Sequence, residues 1–174
     1  MGRQKCAYHA QSVYDIPLAF FAEGPFKAVV LDLDNTLDPF DVATPSKRAK
    51  DLIADLKGVG LKVYVASNNN YRRVFAYCRH LDLDGFLAKA EKAYSHRIGR
   101  FLAKEGVKAA ECLAIGDQVF TDRLMAKHNK MAFLLTKPLT NRDQPFTILT
   151  RLVEKPIRRR WEKKGLLGRN AQTL

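Results

Sequence analysis

Short apolar runs alternate with amphipathic stretches along most of this chain, and the apolar runs end in polar residues. Val29-Val30-Leu31 is β-branched and apolar, the pattern of a strand buried on both faces. Leu61 to Ala66 reads as a second strand, Phe86-Leu87-Ala88 as a third, Cys112 to Ile115 as a fourth and Met131 to Leu135 as a fifth. Helical spacings lie between them. Ala49, Leu52, Ile53 and Leu56 form one face after Thr44-Pro45, a capping hydroxyl followed by a proline suited to a first helical position. From Tyr71 to His80 the expected inner face is Val74, Phe75 and Cys78. Ser95 is expected to cap a helix with Ile98, Phe101 and Leu102 as its stripe, and Thr121 or Asp122 to open another. Such alternation predicts right-handed crossovers and a three-layer α/β fold around a parallel sheet of about five strands.

The two ends of the chain differ from this body. Residues 1–26 carry Tyr8, Val13, Tyr14, Ile16, Leu18, Phe20 and Phe21, which predict an irregular arm packed on the core. The core itself is expected over residues 27–145. Residues 146–174 form a basic amphipathic segment. Ile148, Leu149, Leu152, Val153, Ile157 and Trp161 fall on one helical face, with Pro156 a point of kinking or restart. Arg151, Lys155, Arg158, Arg159, Arg160, Lys163 and Lys164 fall on the other. The segment is either a terminal helix with a solvated basic face or a surface for anionic lipid or RNA.

Charge narrows the partners. The formal net charge is +12, which points to phosphate esters, nucleic acid or anionic lipid. Cys6, Cys78 and Cys112 are an odd number with no CxxC spacing, against a disulfide framework or a zinc site. No run approaches the ~20 apolar residues of a membrane span, and no signal peptide opens the sequence. The expected location is the cytoplasm, with peripheral attachment at the inner face of the membrane open.

The polar residues after the strands carry the chemistry. Asp32 and Asp34 follow the first, at a spacing that points both carboxylates the same way on extended chain. Ser67-Asn68-Asn69-Asn70 follows the second, Lys89 and Lys92 the third, and Gly116-Asp117-Gln118 the fourth. In an open parallel sheet these loops meet outside the carboxyl ends of the strands. Asp32, Asp34 and Asp117 make an oxygen-rich site suited to Mg²⁺, Ser67 offers a hydroxyl and a lysine offers a point charge for a phosphoryl oxygen. Each element alone is an ordinary loop acid, cap or solvated charge; their order, each after a predicted strand, is what points to phosphoryl transfer.

With these residues in place, the chain resembles the haloacid dehalogenase superfamily of phosphatases, subfamily IIIA. Asp32-Leu33-Asp34-Asn35-Thr36-Leu37 is similar to its first motif, Val65-Ala66-Ser67-Asn68-Asn69-Asn70 to its second, the Lys89/Lys92 segment to its third and Gly116-Asp117-Gln118-Val119-Phe120-Thr121-Asp122 to its fourth. The combination resembles the YqeG group and its mitochondrial and plastid relatives, which include phosphatidylglycerophosphate phosphatases. Tyr14-Asp15-Ile16 and the basic tail fit that group, whereas Ala93 stands where its third motif usually has proline. The resemblance implies a Mg²⁺-dependent phosphomonoester hydrolase. Asp32 would be the nucleophile, forming an aspartyl-phosphate, and Asp34 the general acid and base. The metal would be held by Asp32, the Asp34 backbone carbonyl and Asp117, and the phosphoryl group by Ser67, Asn68 and Lys92, with Lys89 the competitor for the last role. Asp122 would orient Lys92 or a metal-bound water.

The gaps between the motifs hold one helix each, with one strand in the second, and leave no chain for a cap domain. A capless, open site suits a large or surface-presented substrate such as phosphatidylglycerophosphate, with residues 151–164 supplying attraction to the membrane. The competing expectations are a phosphatase of phosphoproteins or nucleic-acid ends, and an RNA- or ribosome-binding protein with vestigial activity.

Overall fold

Four apolar runs end at one level because their backbones are in parallel register. The computed structural model describes residues 6–94, 96–140 and 145–173, with the side chains of 145–152 left aside. Strands β1 (Tyr8–His9), β2 (Ala28–Leu31), β3 (Lys62–Ala66), β4 (Gly85–Leu87), β5 (Cys112–Gly116), β6 (Ala132–Leu135) and β7 (Arg169–Asn170) form one sheet in the order β4-β3-β2-β5-β6-β1-β7. Every pair in it is parallel. Leu31 lies opposite both Val65 and Ile115, so the residues after β2, β3 and β5 emerge side by side. The chain winds outward from β2 to β4, then returns to place β5 on the other side of β2. The crevice of this α/β fold therefore opens between β2 and β5.

Alternation along the strands divides the core between two faces. Val29, Leu31, Val63, Val65, Leu113 and Ile115 pack with α1 (Leu18–Ala22), α2 (Lys47–Gly58) and α3 (Tyr71–Cys78). Ala28, Val30, Tyr64, Ala66, Cys112 and Ala114 pack with α4 (Arg97–Lys104) and α5 (Leu124–His128). Burying each Val, Leu or Ile contributes about 1.5–3 kcal/mol, and nearly every residue of β2 and β5 is fully buried. One helix crosses between β2 and β3 and one between β3 and β4, and among the described residues no cap domain is inserted.

The sheet has seven strands rather than five. The added pair, β1 and β7, are two-residue strands too short to give a periodic signal, and they join the ends of the chain at the sheet edge. The arm is accordingly not irregular in residues 6–26: it enters the sheet, then forms a 3₁₀ turn (Val13–Asp15) and α1. Residues 1–5 and Ser95 lie outside the described residues.

Other elements differ in detail. Ser46, not Thr44, caps α2, accepting from the Ala49 amide at 3.3 Å, and Pro45 lies just before it. Phe75 is 42 % exposed, while Tyr77 takes the inner position, because its hydroxyl has a buried acceptor in Asp38. Helical structure after β5 begins at Val119 as a turn of π-helix (Val119–Arg123), so neither Thr121 nor Asp122 is a cap. The C-terminal helix α6 (Pro145–Lys163) runs through Pro156 without a break. On α6 Val153 is exposed and Glu154 buried, the reverse of the expected faces, while Ile157 and Trp161 are half-buried. The side chains of Ile148, Leu149, Arg151 and Leu152 lie outside the described set.

Candidate active site

Asp32 follows the last residue of β2, and its amide continues the ladder to the Ile115 carbonyl at 2.9 Å. One carboxylate oxygen accepts from the Thr36 hydroxyl at 3.0 Å, and the other is bonded by the Lys92 ammonium. The turn beyond is made by Asn35, at φ 66°, a left-handed conformation that asparagine tolerates better than most residues. Its side chain then accepts from the Thr140 hydroxyl at 3.0 Å.

Asp34 does not share the partners of Asp32. The extended stretch ends at Leu31, and the Asp34 carboxylate is bound instead by Arg73 at 3.2 Å and the Asn69 amide at 3.2 Å. Burial, then the charge of Asp32, raise its pKa above the ordinary carboxylate range, against the pull of Asn69, Arg73 and Lys92.

Of the two candidate lysines, Lys92 reaches the crevice and is 2 % exposed; the Lys89 side chain is exposed. The Lys92 ammonium bridges Asp32 and Asp122, the latter at 2.7 Å, and its backbone amide donates to Asn68 Oδ1 at 3.0 Å. Burial works to lower the Lys92 pKa, but the attraction of Asp122 and Asp32 more than offsets it and keeps the ammonium charged. Ser67 is buried at the end of β3, where its hydroxyl accepts from the Asn69 amide at 3.1 Å.

Asp117 extends β5 and is fully buried. Asp122 comes back to the same point on the π turn, its second oxygen accepting from the Gln118 amide at 3.0 Å. Gly116 makes that return possible: a Cβ there would lie 2.3 Å from the Asp122 carboxyl carbon. Burial pushes the Asp122 pKa up against the pull of Lys92.

Asp32, Asp117 and Asp122 each offer a carboxylate oxygen, all within 4.8 Å of one another. Lys92 bridges two of these buried carboxylates, Asp32 and Asp122, and the grouping of three acids is one that a divalent cation would stabilise. Oxygen donors of this kind suit a hard cation such as Mg²⁺. The residues present therefore fit a metal centre.

Several polar groups here were not singled out from sequence. Arg73 pairs with Asp34 but reads as one of many surface cations on a helix. Asp38, buried beneath the first-motif loop, accepts from the Tyr77 hydroxyl at 2.6 Å and the Ser46 amide at 2.9 Å. Tyr14 donates to the Leu37 carbonyl, tying the N-terminal segment to the same loop. Arg158, expected on the outward basic face of the tail, instead donates at 2.8 Å to the Asp117 carbonyl and at 2.8 Å to the Thr136 carbonyl. The sequence marked Tyr14 and Arg158 only through the likeness of Tyr14-Asp15-Ile16 and of the basic tail to the resembled group.

Known proteins resemble this chain in sequence and, separately, in fold. A family profile described as a haloacid dehalogenase-like hydrolase matches residues 39–129. The chain is 31 % identical over 155 residues to the probable phosphatase YqeG of Bacillus subtilis, covering 89 % of this chain and 90 % of that one. It is 33 % identical over 158 residues to phosphatidylglycerophosphate phosphatase 1, chloroplastic/mitochondrial, of Arabidopsis thaliana, covering 81 % of this chain and 43 % of that protein. Among solved structures, the cobalt-bound deoxy-D-mannose-octulosonate 8-phosphate phosphatase of Haemophilus influenzae superposes with a TM-score of 0.52 at 19 % identity, covering 66 % of this chain and 70 % of that chain. A protein of Listeria monocytogenes superposes with a TM-score of 0.52 at 12 % identity, covering 76 % and 99 %. These two likenesses concern the fold. The chain belongs to the haloacid dehalogenase-like hydrolase family and is a phosphatase of that family.

Proposed function

We propose that the protein is a Mg²⁺-dependent phosphomonoester hydrolase working through an aspartyl-phosphate on Asp32. The observation that carries the proposal is the meeting of Asp32, Asp117 and Asp122 with Lys92 at the crevice between β2 and β5. A carboxylate oxygen of Asp32 attacks phosphorus as the ester P–O bond breaks, and Asp34 gives its proton to the leaving alkoxide. Water then attacks the phosphorus of the aspartyl-phosphate. Asp34 takes a proton from that water, the bond to Asp32 breaks, and phosphate leaves. The raised pKa of Asp34 suits a group that must arrive protonated. Ser67, Asn68 and Lys92 line the place for the phosphoryl oxygens, with Lys92 the nearer of the two lysines considered. A Mg²⁺ held by Asp32, Asp117 and the Asp34 backbone carbonyl would neutralise phosphoryl charge, with Asp122 holding Lys92 in place. Asp32→Asn should fold normally and lose at least about 10³-fold in turnover. Substantial residual turnover in that variant would overturn the mechanism.

The substrate we infer is a phosphomonoester presented at a membrane, of the phosphatidylglycerophosphate kind. Its support is the open crevice, the likeness to the Arabidopsis enzyme, and the exposed Lys155, Arg159, Arg160 and Lys163 on α6. Each such cation near an anionic surface contributes ~1 kcal/mol. No helix among the described residues is long and apolar enough to cross a membrane, so attachment would be peripheral. Turnover of phosphatidylglycerophosphate, a phosphopeptide, a 5′-phosphorylated oligonucleotide and an aryl phosphate, each with and without Mg²⁺, tests substrate and metal together. Preference for the oligonucleotide or phosphopeptide would move the substrate class while leaving the chemistry. Reversing the four exposed charges to glutamate should abolish sedimentation with anionic liposomes and spare aryl phosphate turnover.

A further inference from the structure

Among the described side chains of helix α6, Glu154 and Arg158 turn toward the body of the protein. Glu154 is buried and accepts from the Phe120 backbone amide at 2.7 Å. One turn further, Arg158 spreads its guanidinium between two carbonyls, Asp117 at 2.8 Å and Thr136 at 2.8 Å. Asp117 follows β5 and Thr136 follows β6, so one planar group joins the exits of neighbouring strands. Spacing of four places Glu154 and Arg158 on the same face of the helix.

Together the two side chains grip both ends of one short segment, from Asp117 to Phe120. That segment sets the direction in which the Asp117 carboxylate points, and its last two residues begin the π turn that carries Asp122. Backbone groups at strand ends need partners, and water or any polar side chain would satisfy them. A buried carboxylate and a two-armed guanidinium do more, because they fix the peptide plane at Asp117 and leave the loop little freedom to turn. Lysine, whose ammonium donors rotate about one point, would hold two carbonyls less rigidly than the planar fork of arginine. The guanidinium lies against the backbone of Asp117, beside acids whose Lys92 ammonium is already engaged by Asp32 and Asp122.

We propose that α6 supports the metal site from behind, with Arg158 and Glu154 acting as positioning residues that orient Asp117 for binding the divalent cation. The inference rests on the reading of Asp117 as a metal ligand. It gives the C-terminal segment two faces with separate tasks. Lys155, Arg159, Arg160 and Lys163 face outward, while Glu154 and Arg158 hold the fourth-motif loop.

The test uses the full chain and Mn²⁺ alone as probe, with free Mn²⁺ followed by electron paramagnetic resonance and melting followed by circular dichroism. Arg158→Gln and Glu154→Gln should weaken Mn²⁺ binding by about tenfold or more, the range seen when a group supporting a metal ligand is removed. Arg158→Lys should fall between these variants and the unaltered protein. In turnover, the concentration of Mg²⁺ needed for half the maximal rate should rise, while the rate at saturating Mg²⁺ and the KM for aryl phosphate change little. Should Arg158→Gln fail to fold, the folded Arg158→Lys and Glu154→Gln proteins carry the same comparison. Folded variants that melt lower yet bind Mn²⁺ as tightly as the unaltered protein would overturn the positioning role and leave Asp117 as a ligand. Absence of Mn²⁺ binding by the unaltered protein would overturn the metal centre itself, and the proposal with it.

Discussion

Asp34 sits where its charge is disfavoured, and that has a consequence for stability as well as for proton transfer. Its folded-state pKa lies above the ordinary value because of burial and the neighbouring Asp32. A carboxyl raised in this way favours the folded state while protonated. The penalty is absent below the ordinary carboxylate pKa of about 3.9, grows as pH rises to the folded-state value, and stays above it. Asp34→Asn should therefore lose turnover and yet melt higher than the parent at neutral pH without metal. The difference should shrink as pH falls through that window, as followed by thermal melts from neutral to acid pH. A lower melting temperature for Asp34→Asn at neutral pH would show that the bonds from Arg73 and Asn69 outweigh the desolvation of the charge. Gly116 is a second residue whose identity is set by the site, since a methyl group there would collide with the Asp122 carboxyl.

Elements were legible where their signals are local, and misplaced where a partner from afar decided. The strand runs and the stripes of α2 and α4 stand close to where periodicity puts them, since alternation and helical spacing are properties of a dozen neighbouring residues. Tyr77 shows the opposite case. Helical spacing favours Phe75 as the inward residue of α3, but Asp38, from the loop after β2, offers the Tyr77 hydroxyl a buried acceptor. Asp38 thereby ties α3 to the loop that carries the first motif, and through the Ser46 amide to the start of α2. Removing that hydroxyl leaves a buried carboxylate short of a donor. Tyr77→Phe should destabilise the protein by about 1–3 kcal/mol in urea denaturation, with the slope of the transition unchanged.

At the scale of the whole molecule, the two ends of the chain close the sheet together. Strand β1 pairs with both β6 and β7, and Gly168 passes so close to the Ala7 carbonyl that a side chain there would collide with backbone. Helix α6 lies between, with Trp161 packed against the second core face and under the guanidinium of Arg123. Deleting the chain from Arg151 onward would therefore do more than remove positive charge. It strips β7 from the sheet edge and α6 from the fourth-motif loop, and should lower the melting temperature by many degrees even in the absence of lipid. Attachment to a surface is better probed through the exposed cations, which have no part in the fold's interior. A truncated protein that melts with the full chain would mean that the C-terminal segment is an appendage.

Sequence alone determined the order of β2 to β6 with the helices between them, and the polar residues that follow β2 to β5, because both are written in short stretches of chain. It also placed Asp32, Asp34, Ser67, Asp117 and one of the lysines Lys89 and Lys92 near the strand ends where a crevice must open. Only the tertiary structure decided which of these groups meet. Lys92 and Asp32 are 60 residues apart, Arg73 and Asp34 are 39 apart, and Arg158 and Asp117 are 41 apart. No local period records such pairings: they arise when β5 returns to the far side of β2 and the last helix folds back over the exits of β5 and β6. The two acids of the first motif, alike in sequence, end with different partners for the same reason, one on Lys92 and the other on Arg73.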